Sequence, residues 1–362
     1  MSSENKNSFF GKFYAFIAWV VVMALWGCIA STWVNPSHFR FLGALGVAFP
    51  IFLAGVILVL LLGLLVAPRK CWIPVLGLVV SFSSIREYCP INLPEEVPEG
   101  SIKVMSYNSM AFGNKKKDDE GRNAVAANIG RSGADIVCVQ EWSGLTKTIF
   151  QEDIQELSGN HLTHYDTIRN GIHHVGIISH YPIVGKRCLS YGFEHRMAEF
   201  KLLLAPNDTL RVVNCHLKSM RLTPEDRSAY QDMVTGQEKK DIEKESRNLI
   251  SKIARASVVR AAEVEVLCRY LEENAGKSIV LCGDFNDTPI SYAHHRVTEL
   301  GLTNAFTASG NGIGRSFNRD AIYVRIDHIL YSQDWTAYQC RVEKDVQHSD
   351  HYPITCWLSR LR

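Results

Sequence analysis

Gly283-Asp284-Phe285-Asn286-Asp287 and, further along, Ser349-Asp350-His351-Tyr352-Pro353 each set a carboxylate beside a neutral hydrogen-bonding group at the edge of an apolar run. The first follows Ser278-Ile279-Val280-Leu281-Cys282, and the second precedes Ile354-Thr355-Cys356-Trp357-Leu358. Short apolar runs of this kind read as buried strands, which puts both carboxylates at strand ends. Carboxylates gathered at the mouth of a cleft suit hard cations and phosphate groups.

Four more runs end or begin on polar groups in the same way. Val104 to Asn108 ends in Asn108, and Val137 to Glu141 ends in Gln140-Glu141. Val212 to His216 ends with Asn214 and His216, and Arg325 to Ile329 carries Asp327. Gly176 to Ile183 reads as a structural strand and turn. Taken singly, each residue has an ordinary explanation. Asn108 could cap a turn, Glu141 could pair with a surface lysine, and His216 and Asp327 could be satisfied at a strand end and in a loop. Asp287 reads as a loop or helix N-terminal residue. The pairs His173-His174 and His294-His295 are expected at the surface, because adjacent side chains rarely share one ion. Lys115-Lys116-Lys117 is a solvated run or a contact for an anionic substrate.

Positioning these groups requires many strands. Strands are expected at Ile102–Tyr107, Asp135–Gln140, Val175–Ser179, Ile183–Leu189, Ala198–Leu204, Leu210–His216, Ser278–Cys282, Ile329–Tyr331, Cys340–Val342 and Ile354–Leu358. Helical spacing marks Arg122–Ser132, with Gly133 as its stop, and a long stretch from Lys239 to Asn274. Strand-rich halves with helices between them predict an α/β fold of two packed sheets with outer helices.

The order of the pieces, Asn108, Gln140-Glu141, Asn214-x-His216, Gly283-Asp284-Phe285-Asn286, Ile326-Asp327 and Ser349-Asp350-His351, resembles the endonuclease/exonuclease/phosphatase superfamily over roughly Ser101 to Leu358. The resemblance implies a four-layer α/β sandwich with two mainly antiparallel sheets. It implies a Mg²⁺-dependent phosphoesterase, with Mn²⁺ as a substitute, that hydrolyses a phosphodiester or phosphomonoester by direct attack of water. Glu141 would be the main metal ligand, with Asn108 and Asp350 nearby. Asp284 would orient or deprotonate the water, and Asn286 would hold the water or a phosphate oxygen. His216 and His351 would donate to the phosphate, Asp327 would fix the His351 tautomer, and Asn214 would help bind substrate. The alternative is an inert, membrane-tethered binding or scaffold protein on the same fold.

The chain has 362 residues, 46% of them hydrophobic, and a formal net charge of +2. That charge is low for a dedicated nucleic-acid binder. The apolar residues concentrate in the first ninety positions. Phe41 to Val66 is 26 residues without a charge, enough to cross a ~30 Å hydrocarbon core. Phe13 to Ala30 is a second candidate span, and Cys71 to Ile85 a marginal third. Lys6, Lys12, Arg69 and Lys70 alternate with a loop holding only Arg40 and His38. By the positive-inside rule, the N-terminus and the second loop are cytoplasmic. Three spans would place the rest outside, and two would place it in the cytoplasm. The expected organisation is a membrane region over 1–86, a Pro/Glu-rich extended linker over 87–100 and a catalytic domain over 101–362. The expected location is a multi-pass inner or plasma membrane protein with an extracytoplasmic catalytic domain and no obligate protein partner. The substrate class stays open among nucleic acid, nucleotide and lipid headgroup. The ten cysteines show no CxxC or zinc spacing and read as buried, reduced thiols.

Overall fold

A computed structural model describes residues 3–114, 116–170, 173–189, 197–220, 223, 225, 226, 228, 242–319 and 324–361. Lys115 of the lysine run, and much of the charged stretch after Lys218, lie outside the described residues.

Among the described residues, twelve strands form two six-stranded sheets. The first sheet runs β11 (Trp335–Val342), β12 (Ile354–Arg360), β1 (Ile102–Asn108), β2 (Ile136–Gln140), β4 (His173–Ser179) and β3 (His164–Asn170). The second runs β5 (Ile183–Cys188), β6 (Met197–Ala205), β7 (Asp208–His216), β8 (Ile279–Asp284), β10 (Asp327–Tyr331) and β9 (Thr303–Asn304). Among the described strands, the β1/β2 and β7/β8 pairs are parallel and the rest antiparallel. The sequence reading missed β3 and β9. His164–Asn170 alternates charge with few apolar residues at the sheet's edge, and β9 has two residues.

Side-chain alternation explains the layers. Val104, Ile136, Val212 and Val280 face the space between the sheets. Their neighbours Met105 and Val137 pack instead under α5 (Ala124–Arg131). Val213 and Leu281 pack under α6 (Ile242–Glu273) and α7 (Tyr292–Glu299). The result is helix, sheet, sheet, helix: the four-layer sandwich. The short helix α5 starts where the Asn123 side chain accepts from the Ala126 N–H, and Gly133 follows its end at φ 65°.

The N-terminal part holds α1 (Ser3–Ala30), α2 (Phe49–Val66), α3 (Trp72–Val80) and α4 (Phe82–Tyr88). Two helical stretches, Phe9–Trp33 and Leu42–Val66, are long and apolar enough to cross a membrane. The third apolar segment is interrupted at Ser81, between α3 and α4. The loop joining α1 to α2 packs on the body. Asn35 Nδ2 donates to Tyr292 Oη at 3.1 Å, and Ser257 Oγ donates to the Gly43 carbonyl at 3.2 Å. A Cβ on Gly46 would lie 1.9 Å from the Ile290 carbonyl oxygen, so only glycine allows this approach.

The stretch between α4 and β1 carries no helix or strand, and it is fastened to the body. Buried Arg325 donates to the carbonyls of Glu87 and Tyr88, and Asn92 donates to those of Gly310 and Thr307. His294, expected at the surface, is buried on the inner face of α7 beside Ala293 and Val297. None of the ten cysteines, all of them among the described residues, is in a disulfide.

Candidate active site

Sheet register assembles the site before any side chain is considered. Asp284 ends β8, directly opposite His216 on parallel β7 and Asp327 on antiparallel β10. In the facing sheet, Asn108 and Gln140 end parallel β1 and β2 side by side, and Glu141 follows. Asp350 and His351 precede β12, which runs antiparallel to β1 and so begins at the same end. Both sheets therefore deliver polar groups to one end of the sandwich. Gly283 is required at the approach: its φ is 149°, and a Cβ there would sit 1.9 Å from the Cys215 carbonyl oxygen.

The Asp284 carboxylate is the centre. Its Oδ2 lies 3.7 Å from His216 Nε2, 3.7 Å from His351 Nε2 and 3.1 Å from the donating Asn108 Nδ2. Its Oδ1 accepts from the Asn286 N–H at 2.8 Å. Asn286 Nδ2 donates to the Leu217 carbonyl, tying this turn to the one after His216. Glu141 Oε1 lies 3.4 Å from Asn108 Nδ2 and 4.0 Å from His216 Nε2. His351 Nδ1 donates to Asp327 Oδ2 at 2.8 Å, which turns Nε2 toward Asp284. A pocket of about 250 Å³ is lined by Asn108, Glu141, His216, Asp284, Asn286, Asp350 and His351.

Electrostatics follow from this crowding. Burial pushes the Asp284 carboxyl up, and Asp327 adds to it, against the opposing pull of His351 and His216. Burial also raises Glu141, with Asp350 and Asp284 contributing. Burial works against a charged His351, but Asp327 and Asp284 outweigh it and push it up to about 10.

The backbone is strained here. Met110, Ala111, Phe112, Glu141 and Asn286 all have φ between 44° and 54°. Left-handed conformations in non-glycine residues cost on the order of 1–3 kcal/mol and concentrate at functional sites.

Two expected roles differ from the placement. Asn214 is fully buried away from the pocket. Its amide donates to the Val139 and Gly176 carbonyls of the opposite sheet and accepts from Gln140 Nε2 at 2.7 Å. It ties the sheets together beneath the site and has nothing left to offer a substrate. Asn108 turns its Oδ1 to the Met110 N–H and its Nδ2 to the carboxylates. In that orientation it positions Asp284 and Glu141 and presents no oxygen to a cation. Asp327 is also outside the pocket lining and acts through His351.

The sequence reading passed over several supports. Arg260 is buried on α6 and donates to Asp287 Oδ2 at 2.9 Å and to the Lys218 carbonyl at 3.0 Å. It braces the turns after Asn286 and His216, and Asp287 is thus a structural anion. Ser349 Oγ donates to the Asn108 carbonyl at 2.7 Å, joining the two ends of the site. Val47, from the loop before α2, lines the pocket. No local motif announced it, because its contact is tertiary.

A family model described as the endonuclease/exonuclease/phosphatase family matches residues 105–351. The chain belongs to that family, whose members are phosphoesterases that typically use divalent metals. Residues 11–88 match a domain of unknown function. A comparison with curated proteins finds no match. Among solved structures, the chain is similar to an endonuclease/exonuclease/phosphatase from Beutenbergia cavernae, with 13% identity, a TM-score of 0.49 and 72% of each chain covered. It is similar to the human Nocturnin catalytic domain with bound sulfate, at 17% identity and TM-score 0.48, covering 72% of this chain and 94% of that one. It is also similar to a Bacteroides thetaiotaomicron mannosyl-6-phosphatase, at 17% identity and TM-score 0.47, covering 72% of this chain and all of that one.

Proposed function

We propose that the protein is a membrane-anchored, divalent-cation-dependent phosphoesterase that hydrolyses a phosphate ester by direct attack of water. The observation that carries this reading is the Asp284 carboxylate held between His216 Nε2 and His351 Nε2, at 3.7 Å from each.

The donor set fits a hard cation. Glu141, Asp284 and Asp350 line one pocket whose lining includes no lysine or arginine among the described residues. Mg²⁺ or Mn²⁺ takes a few carboxylates and keeps its remaining positions for water and phosphate oxygens. Glu141 and Asp350 would hold it. Asp284, Asp327 and His351 also offer ligand atoms within 4.8 Å of one another. The short His351–Asp327 hydrogen bond marks that trio instead as an oriented imidazole. When bound, the cation offsets phosphate charge in the ground and transition states.

The protein's own residues then divide the work. Asp284 accepts a proton from the attacking water, and burial suits its carboxyl to that task. Asn286 orients the water or a phosphate oxygen. His216 and His351 donate through Nε2 to the non-bridging oxygens, where charge builds up. The water oxygen forms the new P–O bond, the bond to the alcohol oxygen breaks, and that oxygen takes up a proton as it leaves. The strain at Glu141 and Asn286 favours this over an inert scaffold, which has no use for it. The test is phosphate-ester hydrolysis with Mg²⁺ and with EDTA, in the wild type and in Asp284→Ala.

The anchor reading rests on the N-terminal packing. Tyr14 meets Gly63 and Cys71, Trp19 packs on Trp72 at 5.8 Å, Val22 meets Gly77, and Phe49 packs on Tyr88 at 5.5 Å. The segment from Trp72 to Tyr88 thus runs the same depth as α2, about 25 Å at ~1.5 Å per residue. A third crossing in two helical pieces follows. The catalytic body then lies on the side of the α1–α2 loop, opposite Lys12, Arg69 and Lys70, and so is extracytoplasmic by the positive-inside rule.

A further inference from the structure

We propose that the substrate is an amphiphile of the bilayer, a phosphate ester of a lipid alcohol, and that the membrane anchor itself forms part of its binding pocket. This deepens the phosphoesterase reading and rests on it. The pocket lining is of two kinds. Glu141, Asp284, Asp350 and His351 are acidic groups and an imidazole; Val47, Met220, Leu249, Ile253 and Val324 are apolar. A sugar phosphate has nothing apolar to set against the second group.

Val47 ties the apolar group to the anchor. It lies in the 3-10 helix Leu42–Ala48, two residues before Phe49, the first residue of α2, and so within about 4 Å of the start of the apolar helix along its axis. The same loop exposes Trp33, Phe39 and Phe41, with the Arg40 guanidinium 4.7 Å from the Phe41 ring centroid. Exposed aromatics with a basic residue beside an apolar helix belong at headgroup depth. The loop is also held firmly to the body, through Gly43 and Gly46 against Ser257 and Ile290. The site therefore opens beside the headgroup layer, with its apolar lining continuous with the anchor. A lipid phosphate can place its phosphate at Asp284 and the first methylenes of its chain along Val47 and Ile253.

The test uses the full-length protein in detergent or vesicles with two probe series held below their critical micelle concentrations. One is ethyl, butyl, hexyl and octyl p-nitrophenyl phosphate, and the other is the matching alkyl phosphates with inorganic phosphate as readout. Alkyl probes partition into the same vesicles whichever protein is present, so the slope is read as the difference between the wild type and Val47→Gln under identical conditions. The inference predicts that kcat/KM rises with chain length, by up to about fourfold per buried methylene. It also predicts that Val47→Gln flattens the slope. Turnover that is independent of chain length, or that falls with it, overturns the lipid inference and leaves the phosphoesterase reading standing. Turnover of neither series with Mg²⁺ or Mn²⁺ removes both.

Discussion

His351 Nδ1 donates to Asp327 Oδ2 at 2.8 Å, and Asp327 Oδ1 is buried with no partner among the described residues. In the proposed mechanism the carboxylate holds the imidazole with its Nε2–H facing Asp284. Asp327→Asn offers an amide that can reverse the tautomer and remove that donor. We expect kcat to fall by up to about 10⁴-fold with little change in KM, by analogy with another carboxylate-oriented histidine. Steady-state kinetics beside a melting curve separates this from unfolding.

Glu141, Asp284 and Asp350 share one pocket, and Asp350 and Asp284 add to burial in raising the cost of charge on Glu141. Bound Mg²⁺ should relieve this and raise the melting temperature, by about 2.7 kcal/mol of stabilisation at a hundredfold excess over Kd. Glu141→Gln should weaken Mg²⁺ binding by more than about tenfold, since loss of an outer partner alone costs that much. Titration calorimetry on both proteins decides; unchanged affinity in the variant would remove Glu141 as a ligand.

His294 sits at the seam between the anchor and the body. It faces Glu87 at 3.5 Å, Asn304, His328 and the Phe285 ring, with Arg325 and His295 nearby. Burial pulls it down to about 4 from an ordinary 6.5. As pH falls, the unfolded chain therefore takes up the proton first. Stability from this group is complete above 6.5 and declines through 4, by on the order of 3 kcal/mol. Melting temperatures across that window should fall, and His294→Gln should flatten the decline. An equally steep decline in the variant would assign the effect elsewhere.

Gly46 allows the α1–α2 loop to touch Ile290, and Arg325 grips the end of α4. Gly46→Val should loosen the anchor from the body and raise protease sensitivity between residues 87 and 100. Reporter fusions after Lys70 and after Glu96 should report opposite sides of the membrane. Fusions reporting the same side would show that the third segment does not cross.

The strand-end residues were legible because each motif is local: an apolar run, then a polar group. Asp284, Glu141, His216 and His351 needed no more than that, and the sheet register did the rest. Asn214 shares the pattern and the face of His216, but it lies two residues, roughly 7 Å, back along β7, and so stays between the sheets beneath the pocket. Asn108 was expected at the site, but the direction of its amide is set by the left-handed turn at Met110. His294 looked exposed because adjacent histidines suggest a surface, whereas the periodicity of α7 turns it inward. Val47 and the depth of the third apolar segment depend on contacts between distant parts of the chain, which no window of sequence contains.

The central claim is tested most directly by one assay on purified, full-length protein. Hydrolysis of phosphomonoesters and phosphodiesters would be followed with Mg²⁺, with EDTA, and with Asp284→Ala, each preparation checked for an unchanged melting curve. The account predicts turnover with Mg²⁺, loss with EDTA that is reversed by added metal, and no turnover above background in the variant. Wild-type rates in a folded Asp284→Ala protein, or undiminished rates in EDTA, would contradict it.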